Sequence, residues 1–261
     1  MQPGIHFVVV DLGGTGVKPA DIVSFAAAFT KQLQQHLALP QPYGWGVTGT
    51  ARAAAGPTDI HADESPIALM AHPDQAGALG DHDHTRTGRP FGRCFPLLDA
   101  NDGVPWQQTA GHEGIETARD PEGNGIVQAT WDGRIWADEP CDANEQGVVI
   151  IDGVPLSDFV LPPWYGSNVG RCNWLGTLNR GEVGPGGYAQ WLDPQRGWQQ
   201  VFHNQVAPRA YRQMTLGMIE GSLITGRGLR RQVHSNLLLH EMGARIYSEL
   251  DEPPDPIADV T

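Results

Sequence analysis

Glycine and proline recur so often in this chain, 33 and 21 times in 261 residues, that few long uninterrupted elements are open to it. Glycine gives up the most backbone freedom on folding and proline removes a backbone donor, so both punctuate helices and strands more readily than they extend them. Eight tryptophans and 40% hydrophobic residues nevertheless supply enough apolar surface to offset the entropy of ordering the chain, which excludes a disordered polymer. The expectation is a loop-rich α+β fold of short strands and a few helices.

Residues 5–11 form a β-rich apolar run closed by Gly13-Gly14, and residues 19–39 place Ile22, Phe25, Ala26, Phe29, Leu33 and Leu37 at helical spacing. Gly13-Gly14-Thr15-Gly16 lacks both the dinucleotide fingerprint and the lysine ending of a phosphate loop, so it reads as a turn. Residues 45–53 and 66–71 read as strands, and Gly80-Asp81-His82-Asp83-His84 as a solvated histidine-rich loop. A helix is expected over 105–119, stopped at Asp120-Pro121 because the residue before a proline avoids helical backbone. Small hairpins are expected at Asp132-Gly133 and Asp152-Gly153, and a last one joins 188–191 to 198–202. Residues 229–250 carry helical apolar spacing, and 251–261 read as an acidic, proline-rich tail. The expected organisation is a main domain over 1–202 and a helical C-terminal extension with its tail over 203–261.

Charge narrows the function classes. Seventeen basic against 30 acidic residues give a net charge of −13, without the basic stripe of a nucleic-acid binder. The cluster Arg227, Arg230 and Arg231 is better read as a solvated helix face or a protein contact. No apolar run reaches the roughly 20 residues of a membrane span, and the first residues lack the basic and apolar regions of a signal peptide. Three cysteines do not make a disulfide framework. A soluble protein, cytoplasmic or virion-associated, is the expectation.

The strongest chemical signal is His112-Glu113-Gly114-Ile115-Glu116 on the expected helix. At about 100° per residue, positions one and five lie roughly 40° apart around the helix and one turn apart along it, so His112 and Glu116 can reach one cation. His-Glu-x-x-His zinc proteases use the same spacing, with the intervening glutamate as base; here glutamate replaces the second histidine and Glu113 takes the place of the base. A catalytic zinc needs a third protein ligand and an open position. Glu139-Pro140-Cys141-Asp142 can supply it, with Glu139 the first choice and Asp142 the second. Cys141 is either a softer ligand or a small buried residue. An ideal helix carried through Asp120 would leave that carboxylate about 12 Å from His112 along the axis, which suits a supporting or helix-ending role. His82 is a candidate metal ligand or an auxiliary group for stabilising developing negative charge. His240-Glu241 repeats the start of the motif but has alanine at the fifth position.

These motifs resemble a largely uncharacterised set of bacterial and phage zincin-like proteins. That set has a Ser-His-Glu-x-x-Glu-x-x-x-Asp-Pro helix, a later Glu-x-Cys-Asp and a Ser-Asp-Phe-Val-x-Pro-x-Trp segment. Here they read Gly111-His112 through Asp120-Pro121, Glu139 to Asp142, and Ser157-Asp158-Phe159-Val160-Leu161-Pro162-Pro163-Trp164, with Gly111 and Pro140 as departures. The secreted plant Exordium-like proteins are distantly similar through the helix motif. The resemblance runs over most of residues 5–202 and implies a zincin-like mixed sheet, an N-terminal helix, a central metal-site helix and a zinc or other divalent cation.

Two functions follow as expectations. One is a metallopeptidase-like hydrolase acting on a peptide or protein, with His112, Glu116 and Glu139 or Asp142 as metal ligands, Glu113 and His82 as catalytic groups, and Asp120 and Cys141 in support. The other is a non-catalytic structural or interaction protein of a phage particle or other large assembly, its partners proteins and its metal site degenerate or structural.

Overall fold

The helix bearing the His-Glu-x-x-Glu motif lies in the middle of the molecule, between a mixed sheet and a two-stranded hairpin. The computed structural model describes residues 4–73, 79–85, 87–166, 170–193, 195, 197–203 and the backbone of 211–217. Strands β1 (Ile5–Asp11), β2 (Gly49–Ala53), β3 (Ser65–Leu69), β4 (Gly80–His84) and β5 (Pro90–Cys94) make a sheet of order β2-β1-β3-β5-β4. All its pairings are parallel except that of edge strand β4, which runs antiparallel to β5.

Alternation along β1 divides the core. Phe7 and Val9 join the large cluster that includes Phe25, Phe29, Leu33, Ile67 and Ile115, while Val10 joins Ala68, Met70 and Phe95 in a smaller one. Helix α1 (Pro19–Gln32) begins with proline, whose missing N–H is no loss in the first turn, and buries Ile22, Phe25, Ala26 and Phe29. It continues as a π-helical turn over Leu33–Leu37, which explains why the apolar spacing extends beyond the α-helix proper. A short helix, α2 (Pro96–Asp102), closed by Gly103 at φ 71°, leads to α3 (Trp106–Arg119).

Every residue of α3 from Gln108 to Thr117 is buried, polar ones included. One side packs on β3, β4 and β5, and the other on β9. Glycines allow this close approach: a Cβ on Gly92 would sit 3.1 Å from Glu113 Cβ, and one on Gly114 would sit 2.5 Å from Phe29 Cζ. Strands β6 (Ile126–Gln128) and β7 (Ile135–Ala137) form the hairpin expected at Asp132-Gly133. Strands β8 (Val148–Ile151) and β9 (Val154–Ser157) turn at Asp152, whose φ is 52°, and Gly153, the pattern of a two-residue hairpin. After a four-residue helix, α4 (Pro162–Tyr165), strands β10 (Tyr188–Asp193) and β11 (Gly197–His203) pair antiparallel as expected. Strand β12 (Tyr211–Gly217) extends that second sheet, of order β12-β11-β10-β7-β6. This stretch, assigned from sequence to the C-terminal extension, thus continues a sheet of the main domain. The helix expected at 229–250 and the tail lie outside the described residues.

One reading is corrected. Residues 80–84 are strand β4 and not a solvated loop: Asp81 pairs with Arg93 across the ladder, and His82 opposite Gly92 is buried. Trp164 packs edge-on against Trp136 and Tyr165 in the core. The three cysteines are free and buried, and no helix among the described residues is long and apolar enough to cross a membrane.

Candidate metal centre

Helix α3 contributes four of the clustered groups, because positions 112, 113, 116 and its cap at 120 fall on two adjacent faces of one helix. His112 Nε2 lies 3.4 Å from Glu116 Oε1, as the one-turn spacing predicts. The segment after β7 then crosses α3. There a 3-10 turn, Asp142–Asn144, brings Asp142 Oδ1 to 3.2 Å from His112 Nε2. Glu139 comes close to Glu116 and Asp142, all three ligand atoms lying within 4.8 Å of one another. Of the two carboxylates left open as third ligand, Asp142 lies against His112, and Glu139 groups with Glu116 and Asp142.

The crossing segment is held in place by buried polar contacts. Gln108, one turn before His112, donates to the Glu145 carbonyl at 2.8 Å. Asn144 and Asn173 both donate to Asp158, which ties the turn to the strand end beyond β9. Cys141 donates its backbone N–H to Glu116 Oε1 at 3.3 Å, while burial, partly opposed by His112, pushes its thiol well above the usual range. It belongs to the apolar core and to none of the candidate ligand groups among the described residues.

His82 enters from β4 on the opposite side of α3's motif. Its Nδ1 is 3.3 Å from Glu116 Oε2 and 3.6 Å from Glu113 Oε2, and its Nε2 is 3.8 Å from Glu139 Oε2. Asp120 stands where the helix ends, its φ of −127° breaking the helical path, and its carboxylate groups with His82 and Glu139. Asp120 also accepts the Asn124 N–H at 3.0 Å just beyond the helix end.

Electrostatics define what this cluster needs. Glu113, Glu116, Asp120, Glu139 and Asp142 are all buried, with two imidazoles, His82 and His112, among them. Like charges packed this closely disfavour one another's ionised form unless a cation intervenes. Burial disfavours a charge on His112, yet Glu116, Glu145 and the hydrogen bond with Asp142 outweigh it and hold the imidazolium well above its usual range. Arg119 is committed elsewhere, paired with Asp138 and lying 4.2 Å over the Trp45 ring. Burial pushes the Asp138 carboxyl up to about 6 against the attraction of Arg119.

Spacing tests whether these residues fit a metal. A tetrahedral zinc with bonds of about 2.1 Å keeps its ligand atoms roughly 3.4 Å apart, whereas direct N–H···O hydrogen bonds close to about 2.9 Å. The 3.2 Å between His112 Nε2 and Asp142 Oδ1 is also a hydrogen-bond distance, while the 3.4 Å to Glu116 Oε1 is the spacing of two ligand atoms on one ion. Nitrogen and oxygen donors in this number also suit zinc or a comparable divalent cation.

Sequence reasoning passed over two members of the site. Glu145 Oε2 faces His112 Nδ1 at 3.8 Å, on the far side of the ring, where a carboxylate orients a ligating imidazole. Its i+3 spacing from Asp142 was the available signal. Glu145 keeps 37% of its side-chain surface exposed, yet desolvation, helped by Asp142, Glu113 and Glu116, pushes its carboxyl up to about 7 against the pull of His112. Asp138, next to Glu139, had no such signal, since its partner Arg119 sits on another element.

Comparison with protein-family models, with curated proteins and with solved structures gives no match, so the functional reading rests on the geometry of this centre.

Proposed function

We propose that this protein is a metal-dependent hydrolase of peptide or related amide bonds, with a zincin-like arrangement of its mixed sheet and motif helix. The observation that carries the reading is that His112 Nε2 lies 3.4 Å from Glu116 Oε1 and 3.2 Å from Asp142 Oδ1, with Glu113 one residue from His112 on the same helix. In this reading His112, Glu116 and Asp142 hold the cation, with Glu139 beside them. When bound, zinc supplies Lewis acidity and brings the pKa of a coordinated water to about 7. Glu113 accepts a proton from water and returns it to the leaving amine, as a general base then acid. Its carboxylate is held in position by His82 at 3.6 Å and by the tight approach of Gly92. Glu145 fixes the His112 ring from behind. Edge strand β4 lies alongside this helix, and an antiparallel edge is where an extended peptide can add its backbone.

A second reading draws on the depth of the cluster. Glu116 is 0% and His82 1% exposed, and closed sites are the habit of structural metals. In that case the cation locks the 138–145 segment onto α3 in a non-catalytic structural or interaction protein, such as a component of a phage particle or other large assembly.

Metal content and amide turnover of wild type, His112→Ala and Glu113→Gln separate the two. A hydrolase retains metal in Glu113→Gln and loses turnover by a factor of 100 or more, on the order expected for a general base. A structural site shows metal in both and turnover in neither. Absence of metal in wild type prepared without chelator would refute both readings.

A further inference from the structure

The donor groups of the centre fall into two sets, one around each histidine. His112 meets Glu116 Oε1 and Asp142 Oδ1, while His82 meets Glu116 Oε2, Glu113 and Glu139, and groups with Asp120. Among the described residues, no candidate ligand group contains both histidines. The two oxygens of the Glu116 carboxylate thus face different imidazoles, at 3.4 and 3.3 Å. Glu139 likewise groups with His82 and Asp120 on one side and with Glu116 and Asp142 on the other. Carboxylates shared in this way are what bridge two-metal sites, in which the ions sit about 3.5–4 Å apart.

We infer that the centre binds two divalent cations, the second held by His82, Asp120 and Glu139, with Glu139, which groups with both sets, bridging it to the first. The inference rests on the metal-centre reading above and adds a second ion to it. Charge favours the addition. Five buried carboxylates face two imidazoles, so one divalent ion with neutral histidines leaves a deficit of about three charges, and two ions leave about one, in surroundings where uncompensated charge is costly. The ligand atoms of His82, Asp120 and Glu139 lie within 4.8 Å of one another, and His82 Nε2 is 3.8 Å from Glu139 Oε2, a spacing near the roughly 3.4 Å between ligand atoms of a shared ion. The competing occupant of the second position is a proton on His82, which would make that imidazole an ion-pair partner of the same carboxylates.

Titration of chelator-stripped protein with manganese(II), followed by calorimetry and electron paramagnetic resonance, decides between them. Two equivalents per chain are expected for wild type, with the spectrum of an exchange-coupled pair at saturation. His82→Ala and the conservative Asp120→Asn are expected to hold one equivalent and give an isolated-ion spectrum. Saturation of wild type at one equivalent with an isolated-ion spectrum would overturn the second site and leave the single-metal reading standing, whereas no binding at all would remove both. If His82→Ala does not fold, the wild-type spectrum alone decides.

Discussion

Asp99 provides a quantitative test of the packing beneath the centre. It is fully buried at α2, accepts a hydrogen bond from Thr109 Oγ1 at 2.7 Å on α3, and accepts the Cys94 S–H at 3.3 Å. Burial raises its carboxyl from 3.8 to about 6, with Glu113 adding to the effect and the hydrogen bonds from Thr109 and Cys94 opposing it. A folded-state pKa above the unfolded one means that the native state holds its proton while the unfolded chain releases it. Stability is therefore unaffected by this group below about pH 4, falls between about pH 4 and 6, and carries a constant penalty above. The shift corresponds to about 3 kcal/mol at neutral pH. Asp99→Asn removes the titration and keeps an acceptor for Thr109, but turns an amide toward Cys94 at a cost of about 1 kcal/mol. The variant is predicted to be more stable than wild type by about 2 kcal/mol at pH 7 and less stable by about 1 kcal/mol at pH 4. Urea unfolding of both proteins across pH 4–8 gives the difference curve, in which other titrating groups cancel. Parallel stability curves would refute the reasoning.

Other predictions follow from the same packing. Gly114→Ala improves helix propensity by about 1 kcal/mol but drives a methyl to 2.5 Å from Phe29, itself packed against Phe25 and Phe7. Since overpacking costs about 1–3 kcal/mol, a net loss of up to about 2 kcal/mol in chemical denaturation is expected, and a stabilised variant would argue against the close approach of α1 and α3. Arg119→Lys keeps the charge facing Asp138 but gives up the planar stack on Trp45. It should lose about 1 kcal/mol, measured against Arg119→Lys in a Trp45→Leu background, where the effect should vanish.

Local signals in the chain were readable because local physics sets them. The Asp-Gly pairs at 132–133 and 152–153 turn hairpins since they tolerate positive φ, and the motif residues share a helix because 112 and 116 are one turn apart. Strand β4 was not readable, since Gly-Asp-His-Asp-His carries no apolar alternation. It becomes a strand through the ion pair of Asp81 with Arg93 and through the burial of His82 under α3, both of which are nonlocal. That Asp142 lies against His112 depends on a 3-10 turn whose own Asn144 donates, with the distant Asn173, to Asp158, and whose following residue Glu145 accepts from Gln108. The grouping of Asp120 with His82 and Glu139 was not readable for a similar reason, because those two residues sit on other elements.

The central claim is that His112, Glu116 and Asp142, and not Cys141, meet around a cation. X-ray absorption at the zinc edge of the zinc-loaded protein tests it most directly. The account predicts a first shell of nitrogen and oxygen alone at about 2.0–2.2 Å, whereas a sulfur shell near about 2.3 Å, or a chain that retains no zinc, would contradict it.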